Sequence, residues 1–296
     1  METLSQPPTY RVIKGDSPES EIVSTVLGSG DHALVLPPRF LSEELDIESP
    51  EHYQSVNIGL LSSGSTGHPR CIWNTLGNLK ENASITSQVL NVDQTSRVLI
   101  LAGPWHVAGL SWALMAEQVN AEYIIKAPAV GETESWLRLI NDFSPTHLLT
   151  VPNILRNLSE HENWYVPEIV FGGDHLNDDS YEIIRKRSDA LTHAYGQTEA
   201  GGLLASVRFS NEEQLLPSQK ICVGTAAPSM YLSCIGSPGA PAEVKAWSPT
   251  SVYNGYYQTG DLGYLDDEHR LLITGRSGKA KGNCNMLTSV TSIMHK

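Results

Sequence analysis

Between Val56 and Gly196, short apolar, β-branched runs alternate with stretches of helical period, and no other feature of the chain restricts its fold as strongly. The runs are VNIGLL, RVLILAG, EYIIKA, THLLTV, EIVFGG and LTHAYG. Between them Leu76, Leu79, Ala83, Thr86 and Leu90 recur at spacings of three or four, as do Trp136, Leu139, Ile140 and Phe143. Each set therefore shares one helix face. Strands alternating with helices predict an α/β fold with a largely parallel sheet. Ligands of such sheets bind outside the carboxyl ends of the strands, so the polar and glycine-containing turns that close these runs are where chemistry is expected.

After about Ser210 the texture changes to short strands separated by Gly, Pro and Ser: KICVGTAAP, MYLSCIG, AEVKAWSP and the hairpin-like GYLDDEHRLLITG. This predicts a smaller β-rich subdomain after the α/β core. Ahead of the core, IVSTVLG, HALVLPP and the acidic EELDIESPEH are read as one or two strands and a loop, too short for another α/β half. From Ser277 onward the chain holds too few apolar residues to build a core. The expected division is a short N-terminal segment (1–55), an α/β core (56–210), a β-rich subdomain (211–276) and a residual stub (277–296).

The 296 residues, 40% of them hydrophobic, suffice for one large or two smaller domains. Lys and Arg number 20 against 33 Asp and Glu, a net charge of −13, which opposes nucleic acid as a partner because binding it needs cations to displace counterions. A nucleotide triphosphate is still compatible where backbone N–H groups, one or two basic residues and a divalent cation converge. Cys71, Cys222, Cys234 and Cys284 form no CxxC pair, so a reducing compartment is the simpler reading. The first residues lack the basic start and apolar stretch of a secretory signal, and no apolar run approaches a membrane span. A cytoplasmic protein with no membrane partner is expected.

The stretch SSGSTGHPR, Ser62 to Arg70, comes after an apolar run and is read as leading into a helical segment. Its small residues, Gly64 and Gly67 among them, let backbone N–H groups approach phosphate oxygens. The hydroxyls of Ser62, Ser63, Ser65 and Thr66 add donors, and Arg70 adds charge. It is not a Walker A loop, because no GK[ST] follows the spaced glycines. The competing reading is a flexible Ser/Gly linker.

Farther along, in order, come AYGQTEAG (Ala194 to Gly201), TGDLGYL (Thr259 to Leu265) and Gly275-Arg276. With SSGSTGHPR these resemble the phosphate loop, the YGxTE segment and the TGD…GR segment of the adenylate-forming superfamily of acyl- and aryl-CoA ligases. PWHVAGL, PTHLLTVPNIL and EIVFGGDHL extend the resemblance, from about Val56 to Arg276, and the texture is most similar to that of o-succinylbenzoate–CoA ligases. The resemblance implies ATP and Mg²⁺ as cofactors and a small, aromatic carboxylic acid as substrate, with CoA or a carrier-protein thiol as acceptor. The acid attacks the α-phosphorus although both are anionic, so the site must offset repulsion and stabilise an expanding phosphate oxyanion.

By the same resemblance, Ser62, Ser63, Gly64, Ser65, Thr66, Gly67 and Arg70 hold the β- and γ-phosphates, Thr198 contacts the α-phosphate, and Glu199 with Thr66 orients the metal. Gly172, Gly173, Asp174, Tyr195 and Gly196 frame the adenine, Asp261 and Arg276 bind the ribose hydroxyls, and His106 lines the acyl site. Taken singly, these residues have simpler explanations: Glu199 as a solvated surface acid, Asp261 as a turn former, His106 as a helix cap. His147, His175 and His193 have no ligand-like spacing and are read as structural.

The chain also departs from the family pattern. Relatives place a long region before the phosphate loop and a mobile C-terminal domain after the GR hinge, whereas here the loop begins at Ser62 and only a short stretch lies beyond Arg276. No acidic hinge residue stands at Ser277-Gly278, and Arg70 occupies a place where relatives commonly carry Lys. The resemblance thus predicts a form shortened at both ends, able to adenylate slowly and poor at thioester formation, with Lys279 or Lys281 as candidate replacements for a missing catalytic lysine. The alternatives are a catalytically silent nucleotide- or acyl-binding protein acting through a complementing subunit, and another acyl or CoA-ester reaction on the retained core.

Overall fold

The computed structural model describes residues 10–38, 47, 55–62, 70–176, 178–211, 221–277 and 282–283. The chain opens with β1 (Arg11–Lys14), α1 (Glu19–Leu27), β2 (Ala33–Leu36), β3 (Asn57–Ser62) and β4 (Arg70–Thr75). These four strands form one sheet in the order β1-β2-β3-β4, parallel except for the antiparallel pair β3 and β4. Residues before 55 and after 56 therefore share a sheet.

IVSTVLG is not a strand. It lies in α1, entered at Pro18 with Glu19 and Glu21 in the first turn, where acids suit the helix dipole. Its β-branched residues suggested a strand, but Ile22, Val23 and Val26 fall on one buried helix face. HALVLPP does supply β2, while EELDIESPEH lies outside the described residues apart from Ile47. A second correction concerns SSGSTGHPR, which leads into the strand β4 and not directly into a helix. Ser62 stands opposite Arg70 in the register, so the segment joins two antiparallel strands. The expected helix begins only at Leu76.

The rest is α2 (Leu76–Leu90), β5 (Arg97–Ile100), α3 (Val107–Gln118), β6 (Glu122–Ile125), α4 (Thr133–Phe143), β7 (His147–Thr150), α5 (Pro152–Ser159), β8 (Glu168–Gly172), α6 (Asp178–Ile184) and β9 (Ala190–Gln197), then β10 (Gly202–Ser210), β11 (Cys222–Ala226), β12 (Tyr231–Ser233), β13 (Ala242–Trp247), β14 (Tyr257–Leu265), β15 (Leu271–Arg276) and β16 (Gly282–Asn283). Strands β6-β5-β7-β8-β9 are parallel neighbours. From β9 the same sheet continues antiparallel through β10, β11, β15, β14 and β13 to β12. The parallel core and the β-rich part are thus consecutive stretches of one twisted sheet.

Side-chain alternation distributes the core over both faces. On β5, Val98 and Ile100 join the cluster under α1, α2 and α3, whereas Leu99 packs with Trp136 and Ile140 of α4 and Leu155 of α5. Val170 and Phe171 of β8 divide the same way. Each fully buried Leu, Ile or Phe contributes about 1.5–3 kcal/mol of transfer free energy. Thr75 caps α2 by accepting a hydrogen bond from the Asn78 N–H at 3.0 Å, and Asn91 ends it in the left-handed conformation. α3 is buried on every side from Gly109 to Ala116, which leaves it no polar face. No helix among the described residues is long and apolar enough to cross a membrane.

Candidate active site

The parallel strands end together, and their carboxyl ends form the floor of a cavity of about 470 Å³. Pro128 follows β6, Ala102 and Gly103 follow β5, Val151 follows β7, Gly172 and Gly173 close β8, and Ala194 to Thr198 close β9. Ser62 from the end of β3, the first turns of α3 and Arg276 from the end of β15 complete the walls. Gly103 and Gly109 make this possible. A Cβ on Gly109 would run into the Gly103 carbonyl, so a glycine there lets α3 start this close to β5, and one on Gly103 would run into the Trp105 indole.

One end of the cavity is built on a buried carboxylate. Asp261 Oδ2 accepts from the Tyr195 hydroxyl at 2.6 Å and from Gln197 Nε2 at 2.9 Å, while Oδ1 faces Arg276 Nε at 2.9 Å. Asp261 and Arg276 are direct partners in the β14–β15 register, which sets that approach. Gln197 Nε2 also donates to the Thr259 carbonyl at 3.0 Å. Burial, and then the neighbouring Asp261 charge, push the Tyr195 phenol well above its usual range, so it stays a neutral donor.

The second polar feature is the turn Thr198–Ala200. Thr198 lines the cavity, and Glu199, fully buried, faces Arg70 Nη2 at 3.4 Å. Asn74 Nδ2 donates to the Thr198 carbonyl at 3.0 Å. Asn82, at 0% exposure, donates to the carbonyls of Leu203 at 3.0 Å and Ala200 at 3.3 Å, and its Oδ1 accepts from the Leu203 N–H at 2.9 Å. Thr250 Oγ1 donates to the Ala200 carbonyl at 2.7 Å. Gly201 (φ +74°) and Gly202 (φ +143°) then let the chain reverse from β9 into β10. A side chain at Gly202 would also collide with Asn82.

Of the residues expected from sequence, Ser62, His106, Gly172, Gly173, Tyr195, Gly196, Thr198 and Arg276 line this one cavity, and Glu199, Asp261 and Arg70 stand directly behind it. Ser63, Gly64, Ser65, Thr66 and Gly67 lie outside the described residues. Asp174 is exposed and outside the lining, with Oδ1 accepting from the His175 N–H at 2.8 Å in a local turn. His106 is the N-cap residue of α3 and makes no side-chain cap bond. Arg70, expected to add charge for a phosphate, faces the buried Glu199 at 3.4 Å. Sequence reading did not single out Gln197, Asn74, Asn82, Trp105, Ser111 or Trp112. Asn82 had a visible signal: it is a polar residue on the Leu79–Ala83–Thr86 stripe of α2.

The model of the AMP-binding enzyme family matches residues 10–257. The chain belongs to that family. Among AMP-binding relatives it is 25% identical over 264 residues to 2-succinylbenzoate–CoA ligase of Bacillus subtilis (strain 168), covering 79% of this chain and 52% of that protein. The corresponding ligase of Bacillus velezensis is 27% identical over 262 residues, 78% of this chain and 51% of the relative. The chain thus spans about half the length of the curated relatives it matches. In fold it is similar to O-succinylbenzoate coenzyme A synthetase from Bacillus subtilis in complex with AMP, with TM-score 0.73 at 20% identity over 91% of this chain and 68% of that one. The Klebsiella oxytoca NpsA N-terminal subdomain gives TM-score 0.73 at 15% identity over 92% and 88%.

The donor set fits the magnesium nucleotide that the family implies. Among the described residues no three His, Cys, Asp or Glu converge on one point. Glu199 and the Thr198 hydroxyl are oxygen ligands of the kind Mg²⁺ takes when it brings most of its coordination as water and phosphate oxygens.

Proposed function

We propose that this chain activates a small carboxylic acid, aromatic in kind, as its acyl-adenylate at the expense of ATP, with CoA as the thiol acceptor as in the activity for which its relatives are named. The observation that carries the reading is the convergence of Ser62, Thr198, Tyr195 and Arg276 on one cavity at the strand carboxyl ends, backed by buried Glu199 and Asp261. Ribose hydroxyls would be received at the Asp261–Arg276 pair, where the Tyr195 and Gln197 donors hold the carboxylate in place. Gly172 and Gly173 give adenine a flat approach over the end of β8. The Thr198 hydroxyl and the Ser62 end of β3 donate toward the phosphates, where negative charge grows as carboxylate and α-phosphate approach. Mg²⁺, held at Glu199 and Thr198, would supply charge neutralisation on the phosphates.

ATP–pyrophosphate exchange across a panel of aryl and alkyl acids tests the reading, since exchange reports adenylation alone. Glu199→Gln should lower exchange at saturating Mg²⁺ at least 100-fold, about 2.7 kcal/mol. Exchange at the unsubstituted rate would remove Glu199 from its assigned role. Absence of exchange with every acid, alongside measurable ATP binding, would identify a nucleotide-binding protein instead.

A further inference from the structure

Glu199 places a carboxylate at 0% exposure, and a buried carboxylate persists only against a cation or a set of strong donors. Among the described residues the cation beside it is Arg70, whose Nη2 stands 3.4 Å from Glu199 Oε1. The contact is long and single, whereas a guanidinium that locks a carboxylate meets it with two short parallel bonds. The Arg70 side chain is 38% exposed, so its head has room to move. Its backbone does not, because Arg70 pairs with the cavity-lining Ser62 in the β3–β4 register. Tyr253 lies against the same ion pair. Burial first, and then the Glu199 charge, raise its phenol above the usual range, and the Arg70 charge opposes them.

We propose that Arg70 is a displaceable counterion: it holds Glu199 before a nucleotide binds, keeps bare divalent cations off that carboxylate, and exchanges it for phosphate oxygens when a metal–nucleotide complex enters. The inference rests on the reading that a magnesium nucleotide binds here, and adds how this chain selects the complex over the bare ion. To admit a bare divalent ion at Glu199, Arg70 must either stay as a like charge beside it or leave with only water to receive the guanidinium. A nucleotide balances the exchange. Glu199 then trades one cation for another while Arg70 trades one anion for another, and its planar fork fits phosphate oxygens better than the single 3.4 Å contact it gives up.

Mn²⁺ in place of Mg²⁺ tests this by electron paramagnetic resonance, with no turnover required. Ion binding that disappears in Glu199→Gln defines the site. Arg70→Met should tighten the Glu199-dependent binding of bare Mn²⁺ by about tenfold or more and weaken binding of the Mn²⁺–ATP complex by about tenfold or more. Arg70→Lys, which keeps the charge and loses the fork, should leave bare Mn²⁺ as weakly bound as in the parent while still weakening the complex. Where the parent binds ATP, only these opposite signs uphold the proposal. A fixed strut weakens both in Arg70→Met, and a plain phosphate ligand leaves bare Mn²⁺ unchanged; either result overturns it, as does Arg70→Met showing no Glu199-dependent Mn²⁺. Arg70→Gln replaces Arg70→Met if the latter does not fold, and failure of both to fold makes Arg70 a strut and overturns the proposal. If the parent binds no ATP, the nucleotide reading falls by itself. Tightening of bare Mn²⁺ then still upholds Arg70 as the counterion that excludes the ion, and no tightening overturns it.

Discussion

Replacing Gln197 by Leu isolates the support behind Asp261, the carboxylate proposed above to receive the ribose. The side chain is 5% exposed and of nearly leucine volume, so the substitution removes hydrogen bonds with little change in packing. Three bonds are lost: one to the charged Asp261 at 2.9 Å, one to the Thr259 carbonyl at 3.0 Å and one to the Tyr195 oxygen at 3.2 Å. The first is worth about 1.5–3 kcal/mol and the neutral pair about 1 kcal/mol each. Against this, Gln197 Oε1 is itself buried without a partner, and removing that orphan returns about 1–3 kcal/mol. The balance is a destabilisation of about 2 kcal/mol, a fall in Tm of roughly 4–8 °C for a chain of this order of size. Asp261 would keep Tyr195 and Arg276 but lose its third anchor, so the Kd for ATP should rise about tenfold, equivalent to 1.4 kcal/mol. Differential scanning fluorimetry and calorimetric titration measure the two effects independently. A Tm within 1 °C of the parent with unchanged ATP affinity would refute the argument that Gln197 positions Asp261.

Asn82→Ala should be costlier. It removes both donors to the Ala200 and Leu203 carbonyls and the acceptor of the Leu203 N–H at a fully buried position, for about 3–5 kcal/mol read as a lower urea midpoint, with pyrophosphate exchange falling as the Thr198 turn loosens. His193 gives a pH signature. Burial lowers its pKa to about 4, and its Nδ1–H donates to the Cys222 carbonyl at 3.0 Å while the ring stacks on Phe171 at 4.5 Å. A folded pKa below the unfolded value of about 6.5 means that this stability is complete above pH 6.5 and is lost as pH falls toward 4, about 3 kcal/mol in all. His193→Phe should flatten the Tm profile across that window, and an unaltered slope would contradict it.

The parallel strands and the amphipathic helices α2 and α4 were readable because their periodicities are local. Of α3 only the start, at His106, was readable, since a helix buried on all sides carries no stripe. α1 was mistaken because β-branched residues fit either a strand or one helix face. β4 was hidden between a glycine-rich loop and a helix of clear period. At the site, motif order brought Tyr195, Thr198, Glu199, Asp261 and Arg276 into view, and the fold gathers them in space. Gln197, Asn74 and Asn82 escaped because each acquires its function from a distant partner: Asp261 lies 64 residues from Gln197, and Thr250 lies 168 from Asn82. Asp174 shows the converse, a residue inside a recognisable segment whose side chain turns outward to a local bond.

Ser62 and Arg70 belong to the four-stranded sheet, whereas Thr198 and Glu199 lie in the turn between β9 and β10 of the long one. Among the described residues, side-chain contacts such as Arg70 to Glu199 and Asn74 to Thr198 stitch the two sheets together at that point. This part of the cavity wall is therefore a seam, and under the adenylation reading proposed above a polyphosphate seated there would span it as a rivet spans two plates. Under that reading, ligand occupancy and the joining of the sheets would be one thermodynamic quantity: what loosens the seam would weaken a bound nucleotide, and a nucleotide, in binding, would close the seam.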